Sequence, residues 1–135
     1  NEKGARERIV MLHAAIMGSI ERYLSILIEH FAGAFPFWLA PVQIGILSLN
    51  ESVGHYVMEI GHKLEMLGYR VWTDDRNETI GKKIREAELQ KIPYLLIIGP
   101  KEMQNMTVAV RERGKGDLGQ MRIEQFLTRC GKNHV

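Results

Sequence analysis

Between Asp74 and Lys91, five acidic side chains (Asp74, Asp75, Glu78, Glu86 and Glu88) are interleaved with five basic ones (Arg76, Lys82, Lys83, Arg85 and Lys91). A loop and surface helix seldom need so many hydrogen-bonding groups, and two chemistries suit the pattern. One is a solvated surface of exposed salt bridges, which contributes little to stability. The other is an array of donors and acceptors that reads a polar ligand. Asn77 offers an amide able to donate and accept at once. With Arg85, and with Glu102 and Arg111 further along, it makes a set suited to the edges of unpaired bases.

Bulk charge cannot do this work alone. The 135 residues carry 18 Lys and Arg against 16 Asp and Glu, a formal net charge of +2, and the stretch itself is neutral. A nonspecific nucleic-acid binder driven by counterion release needs a larger basic excess. If RNA is the partner, shaped hydrogen bonding must dominate. Composition is that of an ordinary globular domain, 45% hydrophobic and 25% charged. The single cysteine, Cys130, excludes an internal disulfide and any multi-cysteine zinc site, so a reducing compartment is expected. "NEKGARERIVM" lacks the apolar core of a secretory signal. The apolar region from Ala14 to Ala40 is interrupted by Glu21, Arg22, Glu29 and Pro36, too often for a membrane span. A soluble intracellular protein is expected.

The elements that must position these residues can be read from periodicity. Ile16, Ile20, Tyr23, Leu24, Leu27, Ile28 and Phe31 fall on one helix face, stopped by Gly33 and Pro36. "AGAFPFWLAP" then reads as a packed hinge and a domain boundary, with Trp38 buried by it. Val42 to Leu49 is an apolar run of strand length. Asn50 is placed to cap a helix with Val53, Tyr56, Val57, Ile60, Leu64 and Leu67 on one face, ended by Gly68. "YRVWT" is a second strand; a helix from near Thr79 is ended by Pro93. "YLLIIG", apolar on both faces, is a central third strand. "PKEMQNM" reads as a turn, "TVAVRER" as a fourth, antiparallel strand, and "MRIEQFLTRC" as a closing helix. The fold class is α/β: a mixed, mainly parallel sheet flanked by helices and preceded by one long helix. Ligands of such sheets bind beyond the carboxyl ends of the strands. Here that places the loop Asp74–Thr79 beside Pro100–Gln104, with Lys101 and Glu102, and lets the returning strand bring Arg111 alongside.

Other patterns are weaker. His55, Glu59 and His62 share a helix face, but it lies opposite most of the apolar stripe and reads as solvated. "GKGDLG" lacks the context of a phosphate loop and reads as a hairpin or exposed turn. Met58, Met66, Met103, Met106 and Met121 read as packing and turn residues. Trp72 reads as core, and nothing beside Cys130 makes it a nucleophile.

Three longer stretches, "HAAIMGSIERYLSILIEHFAGAFPFWLAPVQ", "RNETIGKKIREAELQKIPYLLIIGPKE" and "VAVRERGKGDLGQM", closely resemble the C-terminal part of the threonyl-tRNA synthetase family. The resemblance runs from about Arg8 to Phe126. It implies that 1–35 is the end of a class II catalytic core and 36–135 an anticodon-binding domain of the class II synthetases. In "GSIER", similar to the third class II signature motif, Arg22 is then expected at ATP phosphates, a role suited to a guanidinium fork. His13 is expected as one ligand of the catalytic zinc. The family usually has arginine where Ala14 stands and proline where Ile9 stands. The other zinc ligands and signature motifs are expected upstream of Asn1, so these residues alone should need no cofactor and activate no threonine. The whole enzyme would use Zn²⁺ and Mg-ATP.

The resemblance further implies that Asn77, Arg85, Lys91, Glu102 and Arg111 surround the anticodon, many relatives having arginine where Lys91 stands. Threonine anticodons share G and U at their second and third positions. Asn77 and Glu102 are expected to discriminate base edges, Arg85 and Arg111 to bind edges or stack, and Lys82, Lys83 and Lys91 to touch phosphates. The implied partners are threonine tRNA and the rest of a homodimeric synthetase, with these residues alone monomeric. The implied compartment is the cytoplasm, the mitochondrion remaining open. Two rivals stay: an accessory protein-interaction domain that has lost anticodon reading, and a small-molecule or nucleotide domain using the same crevice.

Overall fold

Apolar alternation in the middle of the chain builds a five-stranded sheet. A computed structural model describes residues 4–6, 8, 10–15 and 17–131; Ile9 and Ile16 lie outside the described residues. The elements are α1 (Ile20–Phe31), β1 (Ile44–Ser48), a 3₁₀ turn (Glu51–Val53), α2 (Gly54–Met66), β2 (Val71–Asp74) and α3 (Ile80–Leu89). They continue with β3 (Tyr94–Ile98), α4 (Pro100–Asn105), β4 (Val108–Glu112), β5 (Gly116–Met121) and α5 (Ile123–Gly131). The strand order is β2-β1-β3-β4-β5. β1 pairs parallel with β2 and β3, β4 antiparallel with β3, and β5 antiparallel with β4. β3 is central, as its two apolar faces require.

The faces are packed unequally. On one, α2 and α5 bring Tyr56, Val57, Ile60, Leu64, Ile123 and Phe126 against Ile44, Ile46, Tyr94, Leu96, Ile98, Val108 and Val110. On the other, α3 lays Ala87, with Ile80 and Ile84, over Leu47, Leu95, Trp72 and Ile97. This second cluster takes in no residue of β4 or β5, so among the described residues that half of the face carries no packed helix.

Before the sheet, α1 starts at Ile20, where Ser19 caps it by accepting the Arg22 N–H at 3.5 Å. None of its residues is buried, and Ile20, Leu24 and Ile28 are exposed. A connecting strap then enters the core at Phe37, whose ring meets those of Tyr69 and Tyr94 at 6.0 and 5.5 Å. Arg70 fastens the strap by donating to the carbonyls of Ala40 and Trp38, both at 2.9 Å. Trp38 is not buried as expected; it is 55% exposed, because Phe37 fills the core position and the next side chain turns outward.

Further expectations change. "PKEMQNM" is not a turn but the helix α4: Pro100 occupies its first position, and the Glu102 carboxylate accepts the Gly99 N–H at 2.9 Å. "GKGDLG" does supply a hairpin turn, but it continues as strand β5, and Met121 ends that strand rather than opening α5. Asn50 precedes the 3₁₀ turn without a side-chain cap bond, and Leu67 lies beyond α2, exposed. Met58 and Met66 are exposed, whereas Met103 and Met121 lie against the core.

Candidate nucleic-acid interface

Strand alternation decides which side chains reach the open half of the sheet. In β4, Val108 and Val110 point into the main core, so Ala109 and Arg111 point to the opposite face. Ala109 stands between Ile97 and Gln120, and Arg111 between Leu95 and Asp117. Ile97, Ala109 and Arg111 are only partly buried. This is a shallow, half-apolar platform between the edge of α3 and the edge strand β5.

Polar groups line its margins. At one end the Arg111 Nε lies 3.3 Å from Glu88 Oε1 on α3. Arg85 is exposed one turn earlier on the same helix face, with no ion pair among the described residues. α3 cannot continue past Gln90 because Pro93 follows, and Lys91 turns the chain with φ 59. Its carbonyl accepts from the Arg113 guanidinium, which also donates to Ala34 O at 3.1 Å and Phe35 O at 2.6 Å. Between these groups opens a cleft of about 530 Å³ with Ile92, Leu95 and Ala34 in its walls and Lys91, Arg111 and Glu88 at its polar margin. At the other end, Glu102 on α4 accepts from Gln120 Nε2 through its second carboxylate oxygen.

The crevice expectation is therefore half right. Glu102 does stand at the carboxyl end of β3. Arg111, opposite Leu95 near the start of that strand, does not stand alongside it. The antiparallel register carries it toward the far end of the sheet, where it joins Lys91 and Arg85 instead. Asn77 is exposed in the loop between β2 and α3, its amide unbonded among the described residues.

The acids act largely as the density of charge suggested. The Asp74 carboxylate, its side chain fully buried, accepts from Arg76 Nε at 2.9 Å, from its terminal nitrogen at 2.6 Å and from its backbone N–H at 3.1 Å. The hydrogen bonds from Arg76 hold the Asp74 carboxyl below its usual range, against the opposing effect of burial. Arg76 also reaches Glu86 at 2.5 Å, and Lys82 pairs with Glu78 at 2.6 Å. Lys83 is the exception and a correction. It is 1% exposed, with its ammonium on backbone and hydroxyl oxygens, and reaches no phosphate. Helix periodicity placed it on the buried face, a signal its charge outweighed in the sequence.

The other candidates are quickly placed. His13 and Arg22 are exposed, far along the chain from the platform. Among the described residues no group of three or more His, Cys, Asp or Glu side chains could hold a metal ion. His55, Glu59 and His62 are exposed, as a solvated face requires. Burial pushes the Cys130 thiol up to about 12, which leaves it no nucleophile. Among the described residues no helix is long and apolar enough to cross a membrane. Sequence reasoning missed Gln120 and Arg113, and named Glu88 without its partner Arg111. Gln120 was hidden because Gly114, Gly116 and Gly119 mask the alternation of β5.

Comparison with known proteins gives concordant results. Residues 43–133 match the family described as anticodon binding domain. Over 126 residues, 93% of this chain, the sequence is 57% identical to the threonine–tRNA ligase of Acetivibrio thermocellus and 56% identical to that of Carboxydothermus hydrogenoformans. It spans 20% of the length of each. Among solved structures, the RNA binding domain of threonyl-tRNA synthetase from Cryptosporidium parvum superposes with a TM-score of 0.80 at 33% identity, covering 87% of this chain and 30% of that one.

Proposed function

We propose, for a chain that belongs to the anticodon binding domain family, that its open β4–β5 platform reads unpaired anticodon bases of threonine tRNA. It does so as one part of a threonine–tRNA ligase that aminoacylates with ATP. The observation that carries the reading is the cleft between α3 and β4. It has apolar walls for a base plane, and Arg111, Glu88 and Lys91 stand at its margin to meet a base edge or a phosphate. Unpaired RNA is recognised in this way, by splaying bases and satisfying their edges. Asn77 and Glu102 supply edge discrimination, Arg85 and Arg111 stack or bond bidentately, and Lys91 meets a phosphate. Lys83 has no part in the contact.

In this reading residues 36–135 are the anticodon-binding domain and 1–35 the end of the catalytic core. The largely exposed apolar stripe of α1 supports that division, since none of its residues is buried and Ile20, Leu24 and Ile28 stand exposed. Arg22 would meet ATP phosphates only in the whole enzyme, a homodimer in the cytoplasm. His13 would ligate zinc only with ligands absent from the described residues.

The test is binding to a threonine anticodon stem-loop beside loops changed at the second or third anticodon base. Each lost edge contact is expected to cost about 1–3 kcal/mol. Asn77→Ala and Arg111→Ala are each expected to flatten discrimination at one position. Equal binding of every loop by the parent chain would overturn the reading and leave an accessory interaction domain.

A further inference from the structure

Lys83 has lost its water. At 1% exposure its ammonium is satisfied by Ser48 O at 2.9 Å, Ser48 Oγ at 3.2 Å and Asp74 O at 3.3 Å, with no carboxylate oxygen among them. The Ser48 hydroxyl in turn donates to Asp74 O at 3.3 Å. An apolar side chain would pack this position without the cost of desolvating a charge. What the ammonium adds is direction: it ties the last residues of β1 and β2 to the first turns of α3. β2 then runs straight into the loop that carries Asn77. A second tie continues from the first, because the buried Asp74 carboxylate holds Arg76, and Arg76 reaches back to Glu86 on α3. Asn77 is the next residue, and its amide points to no partner among the described residues.

We propose that Lys83 is a positioning residue for Asn77: acting through Ser48, Asp74 and Arg76, it fixes how the amide is presented to a base, without touching RNA. This rests on the anticodon reading above, and the experiment separates the two. The parent chain and its Lys83→Met, Asn77→Ala and Arg111→Ala variants are titrated with the threonine anticodon stem-loop and with loops changed at single anticodon bases. Asn77→Ala and Arg111→Ala identify the base position each residue governs. At a governed position the parent should discriminate by about 5–150-fold, the range of a good edge contact. In Lys83→Met, discrimination at the Asn77 position should fall to within about threefold, while that at the Arg111 position stays within about twofold of the parent, as expected when one edge contact is lost and another kept. A merely structural role would lower both together.

Parent-like discrimination at the Asn77 position, or equal loss at both, overturns the proposal. So does an Asn77→Ala variant that discriminates as the parent does. If Lys83→Met fails to fold, Ser48→Ala removes the hydroxyl through which Lys83 reaches the end of β2 and must give the same split; parent-like discrimination at the Asn77 position in that variant overturns the proposal. A parent chain that binds all loops alike overturns the anticodon reading, and the positioning role with it.

Discussion

Replacing Arg113 by alanine tests how the platform is joined to the strap that precedes it. The guanidinium donates to three carbonyls: Ala34, Phe35 and Lys91. Burial pushes the Arg113 guanidinium below its ordinary range, yet an arginine remains charged at neutral pH. Hydrogen bonds from a charged donor contribute about 1.5–3 kcal/mol each when well buried. Arg113 is only partly buried, and water can reach the abandoned carbonyls, so roughly 1 kcal/mol each is the better figure, near 2–3 in all. With a urea m-value of about 2 kcal/mol/M, the unfolding midpoint should fall by roughly 1 M. Trp72 in the sheet and Trp38 in the strap report the transition by fluorescence. Arg113→Lys, with a single nitrogen in place of the fork, should fall between parent and alanine variant. An unchanged midpoint in Arg113→Ala would refute the reasoning, because water would then have replaced all three bonds at no cost.

Asp74→Asn should flatten the acid limb of the stability curve. Because the folded Asp74 carboxyl sits below its ordinary value of 3.8, its contribution is fully present above that value and is lost as pH falls through the lower folded one. Melts from pH 6 to pH 2 should show the parent's advantage over the variant shrinking below about pH 4; a constant gap would refute it. RNA binding should depend weakly on salt, because Arg76, Lys82 and Arg111 are already paired with carboxylates. With Lys91 alone neutralising a phosphate, the log–log slope should be about −0.7, or roughly threefold between 50 and 200 mM salt. A slope steeper than about −4 would mean that phosphates, not base edges, supply the affinity.

Much of this fold was legible because each β-α unit repeats one short pattern. An apolar run is followed by a 3.6-residue stripe and closed by glycine or proline, as in Ile44–Gly68. Legibility failed where local chemistry was ambiguous. "PKEMQNM" carries a proline that suits a turn or the first position of a helix equally; only the Glu102 carboxylate returning to the Gly99 N–H decides for helix. β5 contains two glycines at positive φ and pairs across a register shift near Arg111, so its alternation of side chains is broken just where a reader would count it. The outward turn of Trp38 depends on Phe37 meeting Tyr69 and Tyr94, a tertiary contact that neighbouring residues do not encode.

The charged stretch was legible as a dense polar surface but not in its division of labour. Charge says that a side chain prefers water or a partner, and Lys83 shows how incomplete that is. Its position on the stripe shared with Ala87 places it inside, and its length lets the ammonium find oxygen at the ends of two strands. Nor does spacing reveal that Arg76 takes two carboxylates while Arg85, nine residues on, takes none among the described residues. Those pairings follow from where β2 ends and α3 begins. The same acids that keep the net charge small also hold Arg76, Lys82 and Arg111 in fixed directions. A surface built this way gives up long-range attraction for phosphate and gains ordered donors, which suits a partner told apart by one base edge rather than by its charge.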